Sequence, residues 1–443
     1  EFVYSIHEDN KGDIYVGTKF GGISRFNIKT KTFDYTINLK EKLGINAVVP
    51  CIKSDDDWVY AAVTFQGSSI YRINKRNQRI ELVKSYAPNT IFSFDIDKHK
   101  QLWVGILGSG LSCLKIENGK AISEKLFSDK SDPVYNLSSK EVNYVFSDKQ
   151  KNEVLISTTN GINRLMLDDK GSISAIAYYI ANEKSPNSLS SNYVWPIDKE
   201  NDSTYWVGTM GSGLNRIVIG KREEGIATYN AERFGTKDGA PSNDIESVLV
   251  DKFGNVWCGG RYLSQFNYKT KKFKTYYEED GIQSYLFGTG TSCKARNGML
   301  FFGGMKGMNY FMPDTTVEKK QYKIVFTRLL IDGKSIAVGD TLNGKIVLEK
   351  DLSHISEVSL PYPYNNFSIE FSSLTYSQKK NIQYRYKLKG FDDDWVYING
   401  LSPFAMYPKL PYKKYTFIVE VGSNNKWNDV VSKIDIDILP PWW

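Results

Sequence analysis

One sequence unit recurs seven times between residues 1 and 312, and nothing else in the chain limits its fold so tightly. Each copy opens with an alternating apolar strand and passes through an Asp/Gly/Asn turn into a second strand that ends on a small residue. A Gly-rich turn and a third strand of the form Gly-Leu-x-Arg-Phe follow. Clear copies are Asp13-Ile14-Tyr15-Val16-Gly17-Thr18, Leu102-Trp103-Val104-Gly105, Tyr205-Trp206-Val207-Gly208-Thr209, Val256-Trp257-Cys258-Gly259 and Leu300-Phe301-Phe302-Gly303; the second and fourth copies have drifted to Ala62 and Ser157. The small residues at 17, 62, 105, 157, 208, 259 and 303 are spaced by 45, 43, 52, 51, 51 and 44 residues. Periods of about 40–50 residues with four short strands belong to propeller blades. A small residue at one fixed place in every blade fits sheets wedged around an axis, where a side chain would push neighbours apart. Trp103, Trp206 and Trp257 are predicted to fill the wider space between blades.

The expected fold class is therefore all-β, a seven-bladed β-propeller over residues 1–314. The fourth, outermost strand is visible as Lys31-Thr32-Phe33-Asp34-Tyr35 and Lys272-Phe273-Lys274-Thr275-Tyr276, but no convincing one follows Phe311. An open ring exposes an edge, so residues preceding Glu1 are expected to supply that strand. After Met312-Pro313-Asp314 the repeat stops, and six or seven short strands predict an immunoglobulin-like β-sandwich over 315–443. Composition agrees with two folded β domains: 29 Tyr, 23 Phe and 9 Trp lie in clusters between turn residues.

The net charge is +7, scattered over turns such as Lys269, Lys271, Lys272 and Lys274 and not gathered into the patch a nucleic-acid binder needs. A mild positive field favours an anionic ligand. Cys51, Cys113, Cys258 and Cys293 match no disulfide framework or metal spacing and read as small apolar strand residues. No run of 18 apolar residues spans a bilayer, and no signal peptide opens the chain. The chain reads as an excised fragment whose Pro440-Pro441-Trp442-Trp443 end marks a membrane interface.

The segment Tyr384-Arg385-Tyr386-Lys387-Leu388-Lys389-Gly390-Phe391-Asp392-Asp393-Asp394-Trp395 resembles the signature of the Y_Y_Y domain. Tyr407-Pro408-Lys409-Leu410-Pro411, Tyr415-Thr416-Phe417, Asn424-Asn425-Lys426-Trp427 and the terminal Ile434-Asp435-Ile436-Asp437-Ile438-Leu439-Pro440-Pro441-Trp442 follow in the same order. Tyr412-Lys413-Lys414 departs from the family's Gly-containing turn. The seven blades resemble the regulator-propeller repeat that precedes this domain in hybrid two-component sensors of Bacteroides-type bacteria. The resemblance implies the periplasmic region of an inner-membrane hybrid histidine kinase. Such a region is membrane-tethered, senses oligosaccharides, dimerises here through the C-terminal domain, and itself carries no catalytic residue, cofactor or metal.

Chemistry has little to build on in the sequence. Only His7, His99 and His354 are present, and they are far apart in the repeat frame. His99 and the run Asp392-Asp393-Asp394 read as solvated turn residues, and the acidic turns Asp9–Asp13 and Asp251–Asn255 as hairpin geometry, not calcium loops. A propeller-type glycosidase or lyase remains the enzymatic alternative, requiring carboxylates or a Tyr/His pair converging on the axis. A protein-interaction propeller is the third possibility. If a small ligand docks, the loops between second and third strands share a face with those entering each first strand. The candidate binding residues there are Lys19, Phe20, Trp195, Met210, Arg261, Tyr262 and Lys306, alongside Gln66, Asn46, Asn143 and Asn192. Rings stack on sugar faces, while Arg and Lys grip carboxylates or sulfates. Arg261-Tyr262 is the sharpest candidate because most blades keep small residues at that turn.

Overall fold

A computed structural model describes residues 1–130, 136–223, 226–313, 324–373, 382–399, 403–423, 426–427 and 431–441. The chain divides into two compact units, Glu1–Thr315 and Thr316–Trp443. The expected boundary at 314–315, Asn424-Asn425 and the terminal Trp442-Trp443 lie outside the described residues.

The first unit is built from seven antiparallel meanders. Six have four strands, beginning with Val3–Glu8, Ile14–Thr18, Ile23–Asn27 and Thr32–Ile37 in blade 1; the seventh, among the described residues, has three, Phe287–Lys294, Leu300–Gly304 and Gly307–Phe311. The first strand of every blade packs against those of both neighbours, and blade 7 packs against blade 1, so the ring is closed. That closing seam is apolar, with Val3, Ile6 and Val16 against Ala295 and Phe301.

A side-chain hydrogen bond crosses each of the seven seams near the axis. In order around the ring they are Ser5 Oγ to Val49 O (2.7 Å), Cys51 Sγ to Phe94 O (3.4 Å), Val145 N to Ser93 Oγ (3.1 Å), Asn143 Nδ2 to Val194 O (2.9 Å), Val250 N to Asp198 Oδ2 (2.7 Å), Thr289 Oγ1 to Glu246 Oε2 (2.7 Å) and Thr291 Oγ1 to Tyr4 O (2.9 Å). The repeated small residue has the predicted role. A Cβ on Gly17 would sit 2.7 Å from Val49 of the next blade, one on Gly105 2.6 Å from Val142, and one on Gly303 2.6 Å from Val3. Trp103, Trp206 and Trp257 are buried between blades, as expected.

The acidic turn Asp9–Asp13 is hairpin geometry, with Asp9 Oδ1 accepting from Lys11 N and Asp13 N and the carboxylate paired with Lys75, and two others are tied to the buried tryptophans. Asp251 Oδ1 accepts from Phe253 N and Asn255 N, and its Oδ2 accepts from Trp257 Nε1 at 3.0 Å. Asp97 does the same for His99 N, Gln101 N and Trp103 Nε1, and Glu200 accepts from Trp206 Nε1. Asp251 and Asp97 close a turn and satisfy a buried indole at once, whereas Glu200 joins its indole to the Arg216 guanidinium. His99 is not merely solvated, because its Nε2 meets Asn152 Oδ1 of blade 4 at 3.0 Å.

The second unit is a two-sheet sandwich. One sheet orders Lys334–Ser335, Val325–Ile331, Phe367–Ser372 and Phe404–Tyr407; the other orders Glu357–Leu360, Ser432–Ile438, Lys414–Ser423, Ile382–Lys389 and Val396–Asn399. Alternate residues of both sheets, among them Phe326, Ile369, Phe371, Tyr384, Leu388, Phe417 and Ile436, make one core. Tyr384 OH bonds Ser373 Oγ, and Tyr407 OH donates to Asp392 Oδ2 at 2.6 Å. Asp392 also accepts from Leu388 N. The expectation of a solvated acidic run is thus corrected at Asp392, which pins a buried tyrosine.

Candidate functional site

The axis of the propeller is where residues of different blades meet, and the innermost strands decide which ones. All seven of these strands carry a register shift close to the end where the chain enters them, between residues such as Val3 and Ser5, Val142 and Tyr144, or Ile245 and Ser247. A bulge turns one side chain out of the ladder, and here it releases Tyr4, Phe92, Asn143, Trp195 and Glu246 from the regular alternation.

Phe92 and Trp195 come from blades 3 and 5, which are not neighbours, yet their ring centroids are 5.8 Å apart; Tyr193 adds a third ring 6.3 Å from Trp195. The intervening blade contributes Asn143, whose amide is turned sideways onto Val194 O. Across the axis, Gly290 of blade 7 approaches the Tyr144 ring of blade 4 so closely that a Cβ there would lie 3.4 Å away. Side chains thus reach across the axis, with an aromatic layer at one end. The Trp195 indole N–H is buried there without a partner among the described residues. At the corresponding bulge of blade 6, Glu246 accepts from Thr289, and burial raises its carboxyl pKa, an effect the Thr289 bond opposes.

The opposite end of the axis holds a charged layer. Lys53 pairs with Asp95 at 3.4 Å and Lys294 with Asp198 at 3.3 Å, so two carboxylates do converge from blades 3 and 5. Each also accepts a backbone N–H from the following blade, Ser147 N on Asp95 and Val250 N on Asp198. Burial lowers the His7 pKa to about 3, assisted by the Lys53 charge, and the ring bonds Ser54 Oγ. Burial pushes the Tyr144 hydroxyl up to about 12. Both carboxylates thus hold an ammonium and the next blade's backbone, which is a stapling arrangement.

The sequence-predicted residues fall into three groups. Trp195 is in the aromatic layer, inside a first strand and not in a loop, and Met210 joins it through Met210 N to Tyr193 O. Lys19, Phe20, Arg261 and Lys306 lie on the turns between second and third strands of blades 1, 6 and 7, Tyr262 opens the third strand of blade 6, and Gln66 occupies the same turn of blade 2. Asn143 and Asn192 are structural, since Asn192 accepts from Ala181 N and Gly161 N; Asn46 is exposed. Phe92, Tyr193 and Glu246 were not singled out in the sequence. The break in alternation that aims them inward comes from a bulge, which leaves no residue signature of its own.

These features define a class: a closed seven-bladed propeller with an aromatic mouth on its axis, followed in the chain by a tyrosine-rich β-sandwich. Residues 375–439 match the Y_Y_Y domain. The chain is similar to histidine kinase P4 of Formosa agariphila, with 25% identity over 456 residues, covering 100% of this chain and 31% of that protein. The chain thus spans about a third of the length of this curated relative. Among solved structures it is similar to the extracellular domain of a hybrid two component system from B. thetaiotaomicron, at 20% identity and a TM-score of 0.44 over 99% of this chain and 73% of that one. PorZ, a surface component of the type-IX secretion system of Porphyromonas gingivalis, is similar at 11% identity and a TM-score of 0.49 over 99% of this chain and 59% of that one. Among the described residues no helix is long and apolar enough to cross a membrane.

Proposed function

We propose that this chain is the ligand-sensing, periplasmic region of a membrane-tethered hybrid histidine kinase. Its ligand is an oligosaccharide, bound on the propeller face that carries the aromatic mouth. The observation that carries the role is the similarity of the whole chain to one part of a histidine kinase, reinforced by the Y_Y_Y match. What supports the site is the Phe92–Trp195–Tyr193 cluster with its uncommitted indole N–H: stacking rings and a donor without a partner suit a sugar's apolar face and hydroxyls. Signalling would proceed by a shift in the arrangement of domains or of two protomers paired through the C-terminal domain. The ligand must then bind one arrangement more tightly than the other.

The experiment is calorimetry against an oligosaccharide series, with product analysis of the same mixtures. Binding without turnover is expected, and Trp195→Ala should weaken it by about tenfold or more, the ~1.4 kcal/mol of one good stacking contact. Turnover would instead favour the second reading, a propeller-type glycan-processing enzyme, which the convergence of Asp95, Asp198, Tyr144 and His7 keeps in view. Scattering profiles identical with and without bound sugar would remove the rearrangement.

A further inference from the structure

Two turns on the proposed ligand face carry an aromatic residue at a left-handed backbone position that blades 2, 3 and 5 fill with Gln66, Gly108 and Gly211. In blade 1 the turn is Lys19-Phe20, and in blade 6 it is Arg261-Tyr262; each places a cation directly before an aromatic residue in the left-handed backbone region, φ 72° at Phe20 and 68° at Tyr262. Bulky side chains avoid that region, at a cost of about 1–2 kcal/mol per residue. Blade 5 has Gly211 at φ 76° in the equivalent turn. Both strained turns are tied to the next blade in the same way. Phe20 N donates to Ala47 O at 3.0 Å and Lys19 bridges Val48; Tyr262 N donates to Tyr285 O at 2.7 Å and Arg261 bridges Leu286. Phe20 is 49% exposed, so burial does not account for its ring; Tyr262 is half-buried, resting on the blade 6–7 core and against Tyr277 and Tyr285, with one side left open.

Blade 7 lies between the two and adds a third exposed cation, Lys306, on its own turn, anchored by Lys306 N to Gln283 Oε1. Among the described residues no carboxylate pairs with Lys19, Arg261 or Lys306. Of the acids on the same face, Asp244 caps Gly211 N, Glu141 caps Gly108 N and Glu246 is held by Thr289. Glu1 lies over Gly21 beside the blade 1 turn, and the exposed Glu278-Glu279-Asp280 turn follows Tyr277, a ring in contact with Tyr262. The one cation–ring contact within these turns is Lys19 Nζ, 5.3 Å from its own Phe20 centroid.

We infer that the arc over blades 6, 7 and 1 is an anion clamp, and that the sensed saccharide carries carboxylate or sulfate groups on rings that stack on Phe20 and Tyr262. This deepens the proposed function and rests on it. Sugar faces match the rings, and an exposed cation next in sequence to each ring matches an acidic substituent.

The test uses the 443-residue chain with three probes: oligogalacturonates, sulfated chondroitin disaccharides and neutral cello-oligosaccharides. At least one acidic probe should bind ten or more times tighter than the neutral one, with affinity falling as salt rises. The double variant Lys19→Gln/Arg261→Gln should lose at least tenfold for that probe at unchanged thermal stability, while Trp195→Ala acts on both classes. The preferred acidic probe type separates carboxylate from sulfate. Equal affinity for neutral and acidic probes, an unaffected double variant, or no binding of any probe overturns the clamp. Neutral sugar binding that Trp195→Ala abolishes would leave the sensor reading intact while the clamp falls. Turnover of an acidic probe would do the reverse.

Discussion

At the scale of the residue, the most exacting positions are the small ones at the wedge between blades. Gly105→Val should destabilise the propeller by about 2–3 kcal/mol, because its Cβ alone meets Val142 at 2.6 Å and the packed sheets cannot part locally. Gly211→Ala is the control: nothing lies within 4 Å of its Cβ, so only the φ of 76° resists it, and about 1 kcal/mol is expected. Urea denaturation of the two variants measures the contrast. His7 carries a pH dependence with a defined sign. Its folded pKa of about 3 lies below the ordinary value of 6.5, so the unfolded chain takes up the proton first. The contribution is complete above about pH 6.5 and lost as pH falls toward 3. The slope is at most ~1.4 kcal/mol per pH unit, and less for a ring that still touches solvent. Replacing it, His7→Gln, should flatten that part of the stability–pH curve; an unchanged curve would refute the assignment.

At the scale of the element, the turn between first and second strands works as one unit with the indole that follows. Asp251 is the shared acceptor for two backbone N–H groups and Trp257 Nε1. Truncation by Asp251→Ala strands these donors at a largely buried place, and a loss of about 2–4 kcal/mol is expected in thermal or chemical unfolding. Replacing the indole, Trp257→Phe, keeps the turn and should cost less, about 1–3 kcal/mol, from the acceptor left with one donor fewer and the smaller ring. The Asp/Gly/Asn turns and the tryptophans were both visible in the sequence, but their connection was not. The Asp251 carboxylate and the Trp257 indole are six residues apart, on a turn and a strand, and only the hairpin's register makes them partners. The inward aim of Phe92, Trp195 and Glu246 was hidden for a related reason: a bulge changes direction without changing composition.

At the scale of the whole molecule, closure is the decisive property. The first strand, Val3–Glu8, supplies one wall of the axis and the apolar seam with blade 7, and the Thr291 hydroxyl bonds Tyr4 O across it. Deleting residues 1–12 should therefore abolish cooperative unfolding of the propeller, not merely lower its midpoint, because every blade depends on both neighbours. Calorimetry of the truncated chain checks this; an intact cooperative transition would show that six blades and a remnant suffice.

The repeat period, the wedge residues and the sandwich motif determined the architecture from the sequence alone, because each reflects a local rule: a turn every few residues, a small residue where sheets crowd, alternation where one face is buried. Which residues share the axis was decided only by the tertiary structure. Phe92 and Trp195, or Lys53 and Asp95, are about a hundred or about forty residues apart and meet only because the ring closes and its innermost strands bulge at one level. Convergence of that kind depends on rotation around an axis, and linear order carries no record of it.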